Sequence, residues 1–234
     1  CKYAVLNGTL IRRIESNFFD PDTVLANKPV RWEPADGANT FVLASKNLPE
    51  PLPASWLVAA IDDKTSRVTL NQGLDFFLPS ISPMGVQAAG QLPSGFNPGD
   101  HYKSLNHPRG LQLAIMAASD AVHSIGIEWE AIVNAVAPDQ IAVYSSSVMS
   151  QMDTAGFGGM MQARTLGGRP TSKQLALGLN TMPADFINAY VLGSVGSTGG
   201  VTGACATFLY NLRIAVDEIK AGKRRVAIVG SSEA

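Results

Sequence analysis

An α/β fold, with layered sheets covered by helices, is predicted for this chain of 234 residues. From about residue 109 onward, apolar residues at helical spacing alternate with short apolar runs, the pattern of strands joined through helices. Residues 141–145 (Ile-Ala-Val-Tyr-Ser) are a near-continuous apolar run, which suits a buried parallel strand. Further on, a glycine-flanked, β-branched stretch, Gly199-Gly-Val-Thr-Gly-Ala204, leads through Cys205 directly into a helical pattern. The order there is strand, sharp turn, thiol, helix.

The first hundred residues read differently, and they hold most of the prolines. Strand-like stretches fall at Thr40–Ala44, Trp56–Ala60 and residues 67–70. Leu48-Pro-Glu-Pro-Leu-Pro53 should be extended and exposed, either a stiff linker or a docking site for a partner domain. Residues 1–100 are therefore read as an irregular, β-containing segment with insertions, and 101–234 as the α/β core. In that core Leu111, Ile115, Ala118, Val122 and Ile125 trace one helix face ending near Gly126. A shorter helix follows over 128–136, then a turn at Pro138-Asp139 and the strand from Ile141. Another helix starts after Thr181, with Thr181 placed to cap it and Pro183 in its first turn. It runs through Phe186, Ile187, Tyr190 and Val191 and breaks over 193–200. In the helix after Cys205, Leu209, Leu212, Val216 and Ile219 share one face. That helix ends at Ala221-Gly222, with Lys220, Lys223 and Arg224 near its negative end. A strand follows over 225–229.

Composition narrows the function classes. The chain is 46% hydrophobic and 16% charged, which suits a well-buried or oligomeric protein rather than a disordered one. A net charge of −1 leaves no basic footprint for nucleic acid. Two cysteines, Cys1 and Cys205, make no disulfide framework, and no His/Cys cluster has zinc spacing. No run is long and apolar enough for a membrane span, and the start does not read as a signal peptide. Asn7-Gly8-Thr9 fits the glycosylation pattern but means nothing without secretion. A soluble, cytoplasmic protein is expected. Gly156-Phe-Gly-Gly-Met-Met161 lacks the Gly-Lys-Ser/Thr end of a phosphate-binding loop and reads instead as a flexible pocket or dimer-interface loop.

Cys205 is the residue with chemistry in it. A thiol attacks as its thiolate, and at an ordinary pKa only roughly 3% is ionised at neutral pH. The unpaired N–H groups of a following helix favour that negative charge by about 0.3–1 kcal/mol. Gly203, Ala204 and Ala206 leave room for a substrate carbonyl. On position alone two readings stay open: a reactive thiolate, or a buried structural cysteine.

Three segments, in order, carry a resemblance that chooses between them. Gly203-Ala-Cys-Ala-Thr207 resembles the nucleophile motif of the β-ketoacyl-acyl-carrier-protein synthases, the condensing enzymes of fatty-acid synthesis. Arg225-Val-Ala-Ile-Val-Gly-Ser-Ser-Glu-Ala234 resembles the strand and Gly-Gly-x-Glu-Ala turn that follow it. Gln140-Ile-Ala-Val-Tyr-Ser-Ser-Ser-Val148 resembles the strand leading into the acyl-pocket loop. The likeness spans roughly residues 88–234. Five further stretches look like a long, divergent bacterial group primed by acetyl-CoA: Leu10-Ile-Arg-Arg-Ile-Glu15, Leu48-Pro-Glu-Pro-Leu-Pro53, Ala89-Gly-Gln-Leu-Pro93, His107-Pro-Arg-Gly-Leu111 and Asp185-Phe-Ile-Asn-Ala-Tyr-Val-Leu-Gly-Ser-Val-Gly196.

The resemblance implies a thiolase-like fold, of which this chain is the N-terminal half. It implies Cys205 as catalytic nucleophile, its own N–H giving half of the oxyanion hole, and a decarboxylative Claisen condensation with malonyl carrier protein that needs no metal and no cofactor. Val148 falls where an aliphatic residue controls pocket size, with Met149 beside it. Phe208 stands where many relatives carry a small residue; it either shortens the pocket toward acetyl or packs in the core. Acyl carrier protein and acetyl-CoA or another acyl-CoA are the implied partners. Arg12-Arg13 is an ordinary surface pair or a contact for carrier phosphates. A homodimer is implied, with residues 199–203 as the edge strand at its axis. The two catalytic histidines and the lysine of the family match nothing here: His101, His107 and His123 read as solvated or helix-end residues. The chain opens on Cys1 and looks like the interior of a longer polypeptide, so alone it is expected to be inactive in condensation. Rival readings are an elongating, polyunsaturated-fatty-acid or polyketide ketosynthase, and a non-catalytic acyl-binding or dimerisation scaffold.

Overall fold

The computed structural model describes residues 8–17, 19–33, 39–193 and 196–234. Cys1, Asn7 and residues 194–195 of the glycine-rich break lie outside the described residues. The chain divides into two compact units, one of residues 9–91 and one of residues 1–8 with 92–234.

Among the described residues, every strand pairing of the first unit is antiparallel. Its strands are β1 (Leu10–Arg13), β2 (Val24–Trp32), β3 (Thr40–Ala44), β4 (Trp56–Ala60), β5 (Thr65–Leu70), β6 (Leu74–Ser82) and β7 (Ala88–Gln91). β5 is the centre of a three-stranded sheet between β3 and β4, and its alternate residues Ser66, Val68 and Leu70 are buried. Phe41 meets Trp56 edge to face at 5.6 Å over that sheet. The expected strands at 40–44, 56–60 and 67–70 are all present, the last beginning two residues earlier. β2 pairs with β6 over nine residues, and β1 with β7 over four. These four strands escaped the sequence reading because the longer pair is interrupted by Pro29 and Pro79, residues tolerated only where a strand has a free edge.

The second unit is a three-layer α/β body. Its elements are α1 (Arg109–Ser124), α2 (Trp129–Ala135), β8 (Ile141–Ser146), α3 (Phe157–Gln162), α4 (Ser172–Gly178), α5 (Met182–Ile187), β9 (Ser197–Gly199), α6 (Thr207–Lys220) and β10 (Val226–Ser231). The sheet order is β10-β8-β9, and both pairings are parallel. β8 is buried along its whole length, as its apolar run demands. Its alternate residues face two cores. Val143 packs with Ala114, Ala118 and Val122 of α1 and Ala184 and Ile187 of α5. Ala142 and Tyr144 pack with Ala215 of α6 on the other face.

Several local expectations need correction. Thr181 makes no side-chain cap on α5, because its backbone is already helical there rather than extended. α5 passes into a π-helical turn, Asn188–Leu192, that ends at left-handed Gly193. Residues 156–161 are not a flexible loop: most of them form α3, wrapped so tightly by the preceding segment that a Cβ on Gly158 would lie 1.7 Å from the Met152 carbonyl oxygen. α1 takes no cap from its own sequence; Asp153 accepts from the Arg109 N–H at 2.7 Å. Ile125 is exposed just beyond α1, whereas Leu111, Ile115, Ala118 and Val122 are buried as expected.

The apolar face foreseen for α6 is reversed. Leu209, Leu212, Val216 and Ile219 are exposed, while Thr207, Asn211 and Ala215 face the sheet. The floor under α6 is Ala142 and Tyr144 of β8 with Ala227 and Val229 of β10. The predicted end holds: Gly222, at φ 72°, closes α6, its N–H bonding Ile219 O at 3.0 Å and that of Lys223 bonding Glu218 O at 3.0 Å.

Candidate active site

The three parallel strands of the second unit end at one edge, because parallel pairing puts every carboxyl end on the same side. Ser231 of β10 lies level with Ser146 of β8, and Gly199 of β9 with Tyr144. Ligands of open α/β sheets bind outside the carboxyl ends of the strands. Cys205, the loop 147–151 and the segment after β10 all follow those ends.

Cys205 follows a sharp turn, as expected, but the strand before that turn is β9 over Ser197–Gly199, not the edge strand expected over 199–203. The ladder stops at Gly199, since the Val201 N–H goes instead to Asn211 Oδ1 at 2.9 Å. Cys205 precedes the residue that opens α6, Ala206. The N–H groups of Ala206 and Thr207 are held by the carbonyls of Gly203 and Ala204, both at 3.0 Å, so they are not the donors an attacking thiolate meets. Among the described residues the Cys205 thiol is free and exposed.

The turn is strained and clasped. Ala204 has φ 48°, the left-handed region that costs an L-residue about 1–2 kcal/mol. Thr207 holds it: its buried hydroxyl accepts from the Gly203 N–H at 2.9 Å and donates to Ala204 O at 2.8 Å. One turn along α6, fully buried Asn211 takes the Val201 N–H and donates to Ser146 Oγ at 3.0 Å. Ser146 Oγ in turn donates to Val201 O at 2.7 Å. The Cys205 turn is thereby tied to the end of the central strand. Sequence reasoning missed Thr207, Asn211 and Ser146; the one signal was Asn211, an amide set inside an apolar helical run.

The other named residues take their places around this edge. Val148 is half-buried and Met149 exposed, both in the loop directly after β8. Phe208 is 46% exposed in the first turn of α6. At the far end of that helix Tyr144 Oη donates to Glu218, which also accepts from Arg224 Nε at 2.9 Å, fixing α6 on β8. Burial, with the hydrogen bond to Glu218, pushes the Tyr144 hydroxyl up.

The three histidines have partners away from the Cys205 turn. His101 stacks on Phe96 with ring centroids 5.1 Å apart, and His123 Nδ1 lies against Ser119 O. His107 is not simply solvated. Its Nδ1 is 3.0 Å from Tyr102 Oη and its Nε2 3.3 Å from Tyr190 Oη, with Phe186 edge-on at 4.8 Å. Burial lowers its pKa from 6.5. An imidazole with a lowered folded value binds its proton more readily in the unfolded chain. Its contribution to stability is therefore full above about pH 6.5 and lost as pH falls through the folded value. A proton NMR titration of the complete protein is expected to place the His107 midpoint below the ordinary value; a midpoint at or above it would contradict the burial argument.

Among the described residues, no group of three His, Cys, Asp or Glu is placed to hold a metal, and no single helix is long and apolar enough to cross a membrane.

Known proteins share these features. A family model described as the N-terminal domain of β-ketoacyl synthases matches residues 96–234. The β-ketoacyl-acyl-carrier-protein synthase FabY of Pseudomonas aeruginosa is 54% identical over 98% of this chain and 36% of its own length. Fatty acid synthase 2 of Mycosarcoma maydis is 25% identical over 74% of this chain and 5% of its own. The crystal structure of the P. aeruginosa ketosynthase FabY superposes with a TM-score of 0.85 at 52% identity, covering all of this chain and 37% of that one. The chain thus spans about a third of the length of FabY and a far smaller share of the fungal synthase. With its thiolase-like fold and a family match over residues 96–234, the chain belongs to the β-ketoacyl synthase family.

Proposed function

We propose that this chain is the nucleophile-bearing part of a β-ketoacyl-acyl-carrier-protein synthase and that Cys205 accepts the acyl group. The observation that carries the reading is an exposed thiol on a strained, clasped turn at the carboxyl edge of a parallel sheet. The name of the P. aeruginosa relative, a β-ketoacyl-acyl-carrier-protein synthase, supports the same reaction class. The Cys205 thiolate attacks the carbonyl carbon of acetyl-CoA; a bond to Cys205 sulfur forms, the bond to the CoA sulfur breaks, and CoA leaves as its thiolate, which takes up the proton the Cys205 thiol gave up. The Cys205 N–H is one donor to the oxyanion formed on the way. Malonyl carrier protein then loses carbon dioxide, and the resulting carbanion attacks the thioester. The Cys205 thiolate departs and 3-oxoacyl carrier protein is the product.

In this reading Val148 and Met149 wall the acyl pocket, and the Phe208 ring, one turn from the thiol, shortens it toward acetyl. Acyl carrier protein and acetyl-CoA are the partners, and the chemistry calls for no metal. The enzyme works as a homodimer: among the described residues β9 pairs with β8 alone, which leaves an edge for the same strand of a second copy. Its compartment is the cytoplasm, that of its substrates.

The test is intact and peptide mass spectrometry of the complete protein after exposure to acyl-CoAs of graded length. A single acetyl adduct on Cys205, formed faster than any longer acyl adduct, is expected. Faster loading of the longer chains would favour an elongating synthase. No adduct from any acyl-CoA would leave the scaffold reading.

A further inference from the structure

We propose that Glu233 is a positioning residue that sets the acyl-length preference of this site by holding the loop 147–151. The assignment rests on the reading of Cys205 as acyl acceptor and of Val148 and Met149 as pocket wall. Its basis is a contact across the sheet edge. β8 and β10 are parallel neighbours ending level with each other, and Glu233, two residues past β10, reaches over to the loop that leaves β8. Its Oε1 accepts from the Val148 N–H at 2.5 Å, and its Oε2 from the Met149 N–H at 3.3 Å. Oε2 also lies 3.0 Å from Ser147 Oγ, whose single proton is shared with Ser150 O at 3.1 Å. One carboxylate thus gathers two successive backbone N–H groups and the hydroxyl before them. Hydrogen bonds to an ionised acceptor are shorter and roughly twice as strong as neutral ones.

Among the described residues, the other backbone N–H bonds of the loop lie at its ends. Ser147 N–H bonds Asn180 O at 2.8 Å and Gln151 N–H bonds Gly178 O at 3.1 Å. Between them the chain bends through Ser150 at φ 63°, a conformation that L-residues avoid. The tip, with Val148 and Met149, is therefore placed by Glu233. Its root is equally fixed: Ser146, one residue before the loop, is bonded to Asn211 and Val201 of the nucleophile turn. With the root tied to the thiol and the tip tied to Glu233, the distance from Cys205 to the pocket wall depends on that carboxylate. Releasing it moves the wall and leaves the thiol where it is.

The experiment compares wild type, Glu233→Gln and Glu233→Ala of the complete protein, measuring Cys205 acylation rates from acetyl-CoA and hexanoyl-CoA. The readout is the ratio of the two rates within one preparation, so any unfolded fraction cancels. The ratio is expected to fall by about tenfold in Glu233→Ala, the scale on which pocket contacts discriminate small apolar groups. A smaller fall is expected in Glu233→Gln, which keeps one acceptor oxygen. Alkylation of Cys205 by iodoacetamide should proceed at the wild-type rate in both. An unchanged ratio in both variants, even with both rates reduced, would mean that Glu233 is merely structural and would overturn the assignment. Wild type that takes up neither acyl group would instead sink the acyl-acceptor reading, and this assignment with it.

Discussion

Replacing Cys205 by Ala is expected to abolish acyl transfer while leaving stability within about 0.5 kcal/mol of wild type. The thiol is exposed, and the clasp around its turn is made by Thr207, Asn211 and backbone groups, not by the Cys205 side chain. Removing sulfur therefore leaves the turn standing and removes only the atom that would form the proposed thioester. Loss of a nucleophile in a well-studied hydrolase costs on the order of 10⁶ in rate, and a comparable loss is expected here. Cys205→Ser separates shape from chemistry. It keeps the size of the side chain, but an alcohol stays protonated at neutral pH unless a base takes its proton. No acetyl adduct is expected from Cys205→Ser over times that saturate wild type. The checks are adduct formation by mass spectrometry and urea unfolding of the same preparations. Acylation of Cys205→Ala at the wild-type rate would place the reaction on another residue.

What the sequence shows of this arrangement depends on how local the signal is. β8 is legible because five apolar or small residues in a row have few other uses, and the structure buries every one. α1 is legible from its spacing, and the turn before α6 from glycines beside a single thiol. A short helix such as α4 carries a readable sign in Thr171 and Gln174, which form a capping box, but seven residues give no hydrophobic period to confirm it. α6 shows the opposite failure. Its leucine stripe is plain in the sequence, yet periodicity says that a face is apolar and not what lies beneath it. The face on the sheet is the one with Thr207, Asn211 and Ala215, and Ala215 packs against Ala142 and Tyr144 of β8. The groups that position the site are least legible. Asn211 meets Ser146 across 65 residues of chain and Glu233 meets Val148 across 85, and no local pattern announces either pairing.

Replacing Asn211 by Leu should be the most damaging change that leaves Cys205 in place. Asn211 is fully buried, and both ends of its amide are used, Oδ1 on the Val201 N–H and Nδ2 on Ser146 Oγ. Leucine has nearly the same volume, so the cost arises from polar groups left behind. The Val201 N–H would lose its acceptor next to a buried helix face, at about 1–3 kcal/mol. Ser146 Oγ keeps Val201 O as acceptor but loses its donor. A destabilisation of about 2–3 kcal/mol is expected, read as a lower urea midpoint with unchanged slope. The kinetic effect should be larger than stability alone implies. Val201 opens the segment that ends at Cys205, and the strain at Ala204 persists only while its surroundings enforce it. Freed of Asn211, that segment relaxes and the thiol moves. A displacement of about 1 Å costs about 10²-fold in rate, expected here as slower acetyl loading of folded protein. Asn211→Asp distinguishes the two bonds, since it keeps an acceptor for Val201 and loses the donor to Ser146. If Asn211→Leu loads acetyl at the wild-type rate once folded protein is counted, the amide contributes to packing alone and the clasp on Thr207 suffices to hold the nucleophile.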